Sequence, residues 1–197
     1  MSTEVENGQD DSVLLSAAAR GGGGFEELVE RHSVALHGYF ARRAPHAADD
    51  LLAEVWLQAY AARRTYDASR GSARAWLFGV ARNVLSTYWR RLAQESRTAP
   101  GEGAHGDPWA AVDDRLDASA LAPALRRVIT ELPEVERELL LLVAWEQLSP
   151  TEAAAVLGIP AGTARSRLHR ARARLRESVA LASTSRSPSE NTTGEPA

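Results

Sequence analysis

The sequence contains no cysteine and no lysine, and it has a single methionine among its 197 residues. The absence of cysteine excludes a disulfide framework, a thiol nucleophile and a zinc knuckle. No stretch approaches the roughly 18 apolar residues that a membrane span needs. The acidic start MSTEVENGQDD is unlike a secretory leader. These absences predict a cytoplasmic protein of one or two domains.

All 23 basic residues are arginine, and 26 acidic residues leave a net charge of −3. Taken as an average, this charge argues against a nucleic-acid partner. The distribution argues the opposite, because residues 161–176 carry six arginines and no acid, and residues 74–97 carry five arginines against Glu95 alone. Like charges on one helix repel unless an anion is supplied from outside, and guanidinium suits phosphate and guanine. A solvated helix face and GC-rich coding are the alternative explanations.

Stretches rich in glycine, proline and small polar residues separate two blocks of helical periodicity. No run of alternating apolar and polar β-branched residues is present, so we expect an all-α fold of two small helical domains joined by a flexible linker. The predicted division is a flexible tail over 1–19, a helical domain over 20–94, a linker over 95–120, a second helical domain over 121–181 and a disordered tail over 182–197.

In the first block, apolar residues between Phe25 and Phe40 recur at helical spacing. Asp49 or Asp50 is placed to cap the next helix, and Gly71-Ser72 to open a third. The third helix should turn Leu77, Val80, Ala81, Val84 and Tyr88 to the core, and leave Phe78, Arg82, Trp89, Trp76, Asn83, Thr87 and Arg90 on its flanks. Aromatic residues interleaved with arginine suit stacking on unpaired bases beside phosphate contacts. The alternative is that Trp76 and Trp89 are half-buried packing residues.

The second block predicts a helix-turn-helix. Ser149-Pro150-Thr151-Glu152 has the pattern of a capping box, and it opens a short alanine-rich helix that Gly158 is placed to end. A basic helix follows over about 162–181. Small residues let the two helices cross closely, so that the second can project into a groove of DNA. An ordinary helical hairpin is the alternative, and the uncompensated arginines favour DNA binding.

These motifs resemble a known family. Residues 149–176, SPTEAAAVLGIPAGTARSRLHRARARLR, are similar to the promoter-reading helix-turn-helix of the extracytoplasmic-function sigma factors. Residues 49–67, DDLLAEVWLQAYAARRTYD, and 73–91, ARAWLFGVARNVLSTYWRR, resemble the other conserved domain of that family. The resemblance implies a bacterial RNA polymerase sigma subunit. Its implied partners are core polymerase, through the β′ clamp and the β subunit, promoter DNA and an anti-sigma factor.

The resemblance also implies site residues. For docking on the β′ clamp coiled coil they are Asp50, Leu51, Glu54, Val55, Trp56 and Gln58. For the melted minus-ten element they are Asn83, which would hold a flipped base, and Arg82, Tyr88, Trp89, Arg90 and Arg91. For the minus-thirty-five element, Arg165, Ser166, His169 and Arg170 would read bases, while Thr163, Arg167 and Arg174 would hold phosphates. Thr87 departs from the family pattern, which commonly has aspartate there.

Two other classes of function compete with this interpretation. A two-domain helix-turn-helix regulator would bind DNA without binding core polymerase. An enzyme acting on nucleic acid would need a catalytic cluster, but Glu134, Glu136 and Glu138 do not all share one helix face. The sequence shows no phosphate-binding glycine loop and no metal-ligand spacing. We therefore expect no enzymatic activity, no cofactor and no metal.

Overall fold

The computed structural model describes residues 2–98 and 122–184, and within these ranges the chain is helical without any strand. The predicted all-α fold is confirmed. The helices are α1 Ser2–Ala19, α2 Phe25–Ala41, α3 Ala48–Ala62, α4 Ala73–Thr98, α5 Ala122–Glu131, α6 Glu134–Ala144, α7 Pro150–Leu157 and α8 Ala161–Thr184. Short 3-10 turns at Pro45–Ala47 and Arg63–Thr65 flank α3.

Helix α1 packs against the rest of the N-terminal half. Leu15 is fully buried with Leu28 of α2 and Ala73 of α4, and Asp11 is also buried. The prediction of a flexible tail over 1–19 is therefore wrong, because the segment carries an apolar stripe that α2 and α4 cover. Gly24 makes this packing possible, since its φ is 103° and a β-carbon there would lie 2.9 Å from the Leu14 side chain.

Helices α2, α3 and α4 form the core of the N-terminal half. Tyr39 of α2 makes edge-to-face ring contacts with Phe40 of the same helix and with Phe78 of α4. Burial raises the pKa of Tyr39 to about 12. The predicted cap of α3 is wrong, because the cap position is Ala47, and Asp49 and Asp50 lie in the first turn, where their charge favours the helix N-terminus.

Helices α5 to α8 form the C-terminal half, and its helix-turn-helix is built as predicted. The Glu152 amide donates to the Ser149 hydroxyl, and the Ser149 amide donates to the Glu152 carboxylate, which completes the capping box. Gly158 ends α7 in the left-handed conformation at φ 66°. The next helix begins at Ala161, close to the expected start.

The two halves pack together on one continuous hydrophobic core. Ala75, Phe78 and Ala81 of α4 belong to the same buried cluster as Leu139 of α6 and Ala153 of α7. The two predicted helical domains are thus in direct contact.

The predicted segment boundaries are only partly within the described residues. Helix α4 continues to Thr98, past the predicted linker start at residue 95, and α8 continues to Thr184. The remainder of the predicted linker and of the C-terminal tail, residues 99–120 and 185–197, lies outside the described residues.

Candidate nucleic-acid interface

Helix α8 presents a basic face to solvent. Its inner stripe of Ala164, Leu168 and Ala171 is buried against the rest of the C-terminal half. On the other side, four of the predicted base-reading residues are exposed: Arg165, Ser166, His169 and Arg170. The Ser166 hydroxyl donates to the Thr163 carbonyl within the helix, so its oxygen remains an acceptor. This arrangement is the projecting helix that major-groove recognition requires.

Glu136 of α6 bridges two arginines of this face. Its oxygens lie 3.5 Å from Nη2 of Arg170 and 3.5 Å from Nη1 of Arg174. The carboxylate is 9% exposed, whereas the two arginine side chains remain 60% and 52% exposed. Contacts this long orient the guanidinium groups without removing them from solvent.

The residues predicted for the minus-ten element lie on three different sides of α4. Asn83 is exposed beside Trp76 and Val80 at a cleft of about 650 Å³. Tyr88 and Arg91 line another cleft, between α4 and α3. Arg82 faces the C-terminal half, where its Nε donates to Glu138 of α6, and Trp89 packs against the core that the two halves share. Phe78 is predicted on an outer flank, but it is buried in the core that the two halves share and packs edge-to-face on Tyr39.

The cleft beside Asn83 has walls from both halves of the chain. Residues 62–83 supply one side of it, and Ala154, Ala155 and Val156 of α7 supply part of the other. A β-carbon on Gly71 would lie 3.8 Å from the β-carbon of Ala155. The chain at Gly71 and helix α7 therefore lie close to each other next to the predicted strand-binding face, with room for one β-carbon between them.

Glu146, in the turn after α6, is the centre of the polar contacts between the halves. Its side chain is 1% exposed and accepts hydrogen bonds from the guanidinium groups of Arg42 and Arg43, the latter at 3.1 Å. Arg43 also stacks on the Tyr39 ring, and its guanidinium carbon lies 3.9 Å from the ring centroid. The Glu146 carbonyl accepts from Nη2 of Arg74 at 2.7 Å. Three arginines of the N-terminal half thus converge on one residue.

Two further carboxylates of the C-terminal half accept hydrogen bonds from the N-terminal half. Nε of Arg82 donates to Glu138 at 2.9 Å, and the Ser72 hydroxyl donates to Glu152 at 2.6 Å. Burial pushes the pKa of Glu152 upward, but hydrogen bonds from Ser72 and Ser149 outweigh it, and the pKa falls below its usual value. Glu152 is therefore a carboxylate at neutral pH and an effective acceptor.

The predicted polymerase-docking residues divide into exposed and buried sets. Asp50, Glu54 and Gln58 are exposed at four-residue intervals along α3, and Gln58 donates to Glu54 at 2.7 Å. Leu51 and Val55 are 6% and 0% exposed, so they belong to the core and cannot lie on a docking surface as predicted. Their apolar side chains face inward at the same helical period that turns the polar residues outward.

Trp56 is half-buried and packs edge-to-face on Phe25 at 5.9 Å between ring centroids. A docking role for its outer edge stays a prediction. Leu57 and Tyr60, which sequence reasoning did not select, are 69% and 51% exposed on α3. Helical spacing from Glu54 would have found Leu57, because residues three apart share a face.

Neither a membrane span nor a metal cluster is found in the residues that the structure describes. No helix among them is both long enough and apolar enough to cross a bilayer. No group of three or more histidine, cysteine, aspartate or glutamate residues within 2–98 and 122–184 is arranged to hold a metal ion.

Comparison with known proteins decides the family. The model of Sigma-70 region 2 matches residues 28–95, and that of Sigma-70 region 4 matches residues 123–175. The RNA polymerase sigma-E factor of Streptomyces avermitilis is 36% identical over 157 residues, which cover 79% of this chain and 84% of that protein. The chain belongs to the extracytoplasmic-function sigma factors.

Two more similarities extend over most of this sigma factor. The ECF RNA polymerase sigma factor SigC of Mycobacterium tuberculosis is 34% identical, over 82% of this chain and 86% of that protein. The solved structure of CnrH in complex with the cytosolic domain of CnrY has a TM-score of 0.58 and 28% identity, and the match covers 87% of this chain and 97% of CnrH.

The family settles the choice between the two DNA-binding interpretations. As an RNA polymerase sigma factor, the chain directs core polymerase to promoters in transcription initiation. A regulator that never contacts polymerase is not favoured. The sigma factor carries no sequence signal for its buried Arg42, Arg43 and Glu146 cluster, because residues more than a hundred positions apart meet only once both halves have packed.

Proposed function

We propose a division of labour among three surfaces of this sigma factor. The exposed side of α3 docks on core polymerase, the Asn83 side of α4 holds the opened minus-ten strand, and the exposed face of α8 reads the minus-thirty-five duplex. The observation that carries the proposal is the face of α8, where Arg165, His169 and Arg170 project together from a buried inner stripe. The functional division follows the predicted domains over 20–94 and 121–181.

The docking surface consists of Asp50, Glu54 and Gln58, together with the exposed Leu57. An apolar side chain among acidic and amide groups matches the usual anatomy of a protein interface, in which a desolvated centre has a polar rim. Its partner is the β′ clamp of core polymerase.

The minus-ten surface centres on Asn83. Its amide can hydrogen-bond a base edge, while the exposed Arg90, two helical turns further along α4, contacts a phosphate. Arg82, Tyr88, Trp89 and Arg91 lie on other sides of α4, so in this conformation they do not form one surface with Asn83.

The minus-thirty-five surface is formed by Arg165, Ser166, His169 and Arg170. Arginine can contact a guanine edge with two hydrogen bonds, which contributes about 1–3 kcal/mol of discrimination. Thr163, Arg167 and Arg174 flank this set and are suited to the phosphate backbone.

Three coarser expectations complete the proposal. The protein acts in the cytoplasm, where core polymerase and DNA are found, and it performs no catalysis of its own. An anti-sigma protein is a further partner; the solved complex of CnrH with the cytosolic domain of CnrY supports this.

Run-off transcription on sheared chromosomal DNA, with core polymerase of the same bacterium and sequencing of the transcripts, tests the proposal. We expect discrete start sites that depend on this chain. Wild-type protein that neither binds core polymerase nor yields any discrete start overturns the proposal as a whole.

The docking surface is tested separately by Glu54→Arg, with Glu30→Arg as its control because Glu30 is exposed on the neighbouring helix α2. Charge reversal at Glu54 should weaken binding to core polymerase and leave binding to duplex DNA unchanged. Equal core affinity for the two variants contradicts the assignment of α3.

A further inference from the structure

We propose that Glu136 of α6 is a positioning residue for the minus-thirty-five surface and sets how strongly that surface discriminates between sequences. Its carboxylate holds the Arg170 guanidinium in a direction suited to a base edge, and it withholds part of the charge of Arg174 from phosphates. The proposal rests on the function proposed above for α8, and it adds a determinant of specificity that lies outside the recognition helix.

The first observation is the position of the carboxylate. Glu136 lies in the first turn of α6, and its side chain is only 9% exposed. Arg170 and Arg174 are four residues apart on α8, so they project from the same side of that helix. Oε1 of Glu136 lies 3.5 Å from Nη2 of Arg170, and Oε2 lies 3.5 Å from Nη1 of Arg174. One carboxylate thus contacts two neighbouring guanidinium groups from the side of the protein.

The second observation is that these ion pairs can contribute little to folding. The arginine side chains are 60% and 52% exposed and both contacts are long, and exposed pairs of this kind are worth little stability. The arginines that contact Glu146 are 12% and 1% exposed, so that carboxylate belongs to the other class. The consequence of the Glu136 contacts is therefore expected in DNA binding and not in the free energy of unfolding.

The third observation is that Arg170 keeps donors for a base while it contacts Glu136. The contact is made by Nη2, and it leaves Nη1 and Nε directed away from the carboxylate. A guanidinium has several N–H donors in a planar fork, and a pair of them suffices for the O6 and N7 atoms of guanine. A free arginine side chain loses rotamer entropy when it binds a base. Contact with Glu136 has already reduced that freedom, so Arg170 is preorganised.

The same carboxylate opposes phosphate at Arg174. Carboxylate and phosphate oxygens bind guanidinium in the same charge-assisted geometry, so a phosphate that approaches Arg174 competes with Glu136. The negative charge also repels the DNA backbone whatever its sequence, whereas the edge of a base carries no net charge. Glu136 therefore lowers sequence-independent affinity while it favours the contact of Arg170 with a base.

The matched pair Glu136→Gln and Glu134→Gln tests the carboxylate in the full-length protein. Both residues lie in the first turn of α6, so both substitutions remove the same interaction with the helix dipole, but Glu134 is exposed. Fluorescence anisotropy measures binding to two labelled duplexes over a range of salt concentrations. One duplex is the minus-thirty-five segment upstream of a start site found by run-off transcription, and the other is a scrambled sequence of the same composition.

Only Glu136→Gln should strengthen binding to the scrambled duplex, by about threefold, and steepen the dependence of log K on log salt by about 0.9, because Arg174 gains a phosphate. The ratio of promoter to scrambled affinity should fall by about threefold to tenfold, since Arg170 is less well positioned. A purely structural role would weaken binding to both duplexes. Equal behaviour of the two glutamine variants, or weaker binding of Glu136→Gln to the scrambled duplex, overturns the proposal.

Combined variants assign the loss of discrimination to its arginine. The effect of Glu136→Gln should vanish in an Arg170→Ala background, where the positioned group is absent. It should persist in an Arg165→Ala background, because Arg165 is exposed and pairs with no carboxylate among residues 2–98 and 122–184. A loss of equal size in both backgrounds contradicts a role that acts through Arg170.

A second pair of variants tests the proposal without changing Glu136. Arg167 and Arg174 are both assigned to phosphates, but only Arg174 contacts Glu136. Arg167→Ala should therefore reduce the salt dependence of binding to the scrambled duplex by about 0.9, and Arg174→Ala should reduce it by clearly less. An equal reduction in the two variants, or a larger one for Arg174→Ala, shows that Glu136 withholds no charge and overturns the proposal.

The outcomes also distinguish this proposal from the function on which it rests. If Arg170→Ala lowers discrimination and Glu136→Gln does not, α8 reads the duplex and the positioning role of Glu136 fails. If the wild-type protein binds the promoter and scrambled duplexes equally, the minus-thirty-five function of α8 fails, and the positioning role fails with it.

Discussion

The arginines of α8 and those at the end of α2 have the same chemistry in opposite surroundings. Arg170 and Arg174 are more than half exposed, and the only carboxylate they share lies 3.5 Å away. Arg42 and Arg43 are 12% and 1% exposed and share the buried Glu146. The composition alone treats all of these residues as equivalent positive charges.

The difference shows that arginines which look alike in the sequence can lie on the surface of the folded protein or be buried inside it. A buried arginine is tolerated only when a carboxylate faces it, and the pair then acts on stability. An exposed arginine contributes little to folding and is available to a ligand. The two groups should therefore respond oppositely to mutation, one in the free energy of unfolding and the other in DNA affinity.

The largest expected effect is that of Glu146→Ala on stability. Removal of the carboxylate takes the shared anion from the guanidinium groups of Arg42 and Arg43, which costs about 3–5 kcal/mol. Urea denaturation followed by circular dichroism measures the loss. The control is Glu131→Ala, whose exposed pair with Arg127 should contribute less than about 0.5 kcal/mol. Equal losses would remove the distinction between buried and exposed pairs.

Arg170→Ala should show the reverse behaviour. Promoter discrimination should fall by about 1–3 kcal/mol because a guanidinium that reads a base edge is removed. The free energy of unfolding and the affinity for core polymerase should stay near the wild-type values, since the side chain is mostly exposed. Binding to promoter and scrambled duplexes measures discrimination. A parallel loss of core binding would indicate misfolding instead.

A smaller effect is expected at the turn that presents Glu146. Gln147 has φ 55°, a left-handed conformation that disfavours a side chain with a β-carbon. Gln147→Gly should therefore stabilise the protein, by about 0.5–1 kcal/mol after the entropy cost of glycine. Gln147→Ala keeps the β-carbon and should therefore not stabilise the protein. Thermal unfolding of the two variants decides between relief of strain and loss of the glutamine side chain.

The smallest effect concerns His32, which is buried beside Asp11. His32 lies 2.7 Å from Asp11, and burial lowers its pKa, opposed by Asp11 and reinforced by Arg74 and Arg31. The unfolded chain therefore binds the proton more readily than the folded one. The stability contributed by neutral His32 is complete above the unfolded pKa of 6.5 and declines as the pH falls below it.

His32→Gln keeps a hydrogen-bond donor towards Asp11 and removes the titration. Its midpoint of thermal unfolding should fall less than that of the wild type between about pH 7.5 and about pH 5.5. Identical pH dependence in both proteins would contradict a buried neutral histidine.

Local chemistry accounts for the parts of the fold that were predictable. The capping box at Ser149, the left-handed Gly158 and the inner stripe of α8 each depend on residues within one or two helical turns. These three features can therefore be predicted without knowing how the rest of the chain packs. The same holds for the exposed base-reading candidates on α8.

Long-range packing accounts for the errors. The predicted division assigns residues 1–19 to a flexible tail, yet Leu15 is fully buried against α2 and α4, and Asp11 contacts His32. Leu51 and Val55 were assigned to a surface by family position, and their own helical period places them in the core. Phe78 is predicted on a flank of its helix, but it is buried in the core that α2, α4 and the C-terminal half build together.

The Glu152 carboxylate described with the capping box has a thermodynamic consequence for the whole molecule. One oxygen accepts from the Ser149 amide inside the C-terminal half, and the other accepts from the Ser72 hydroxyl of the N-terminal half. Separation of the halves removes one restraint on the side chain that protects the amide. The hydrogen-exchange rate of the Ser149 amide therefore reports how often the two halves separate, and it can be measured in the unmodified protein.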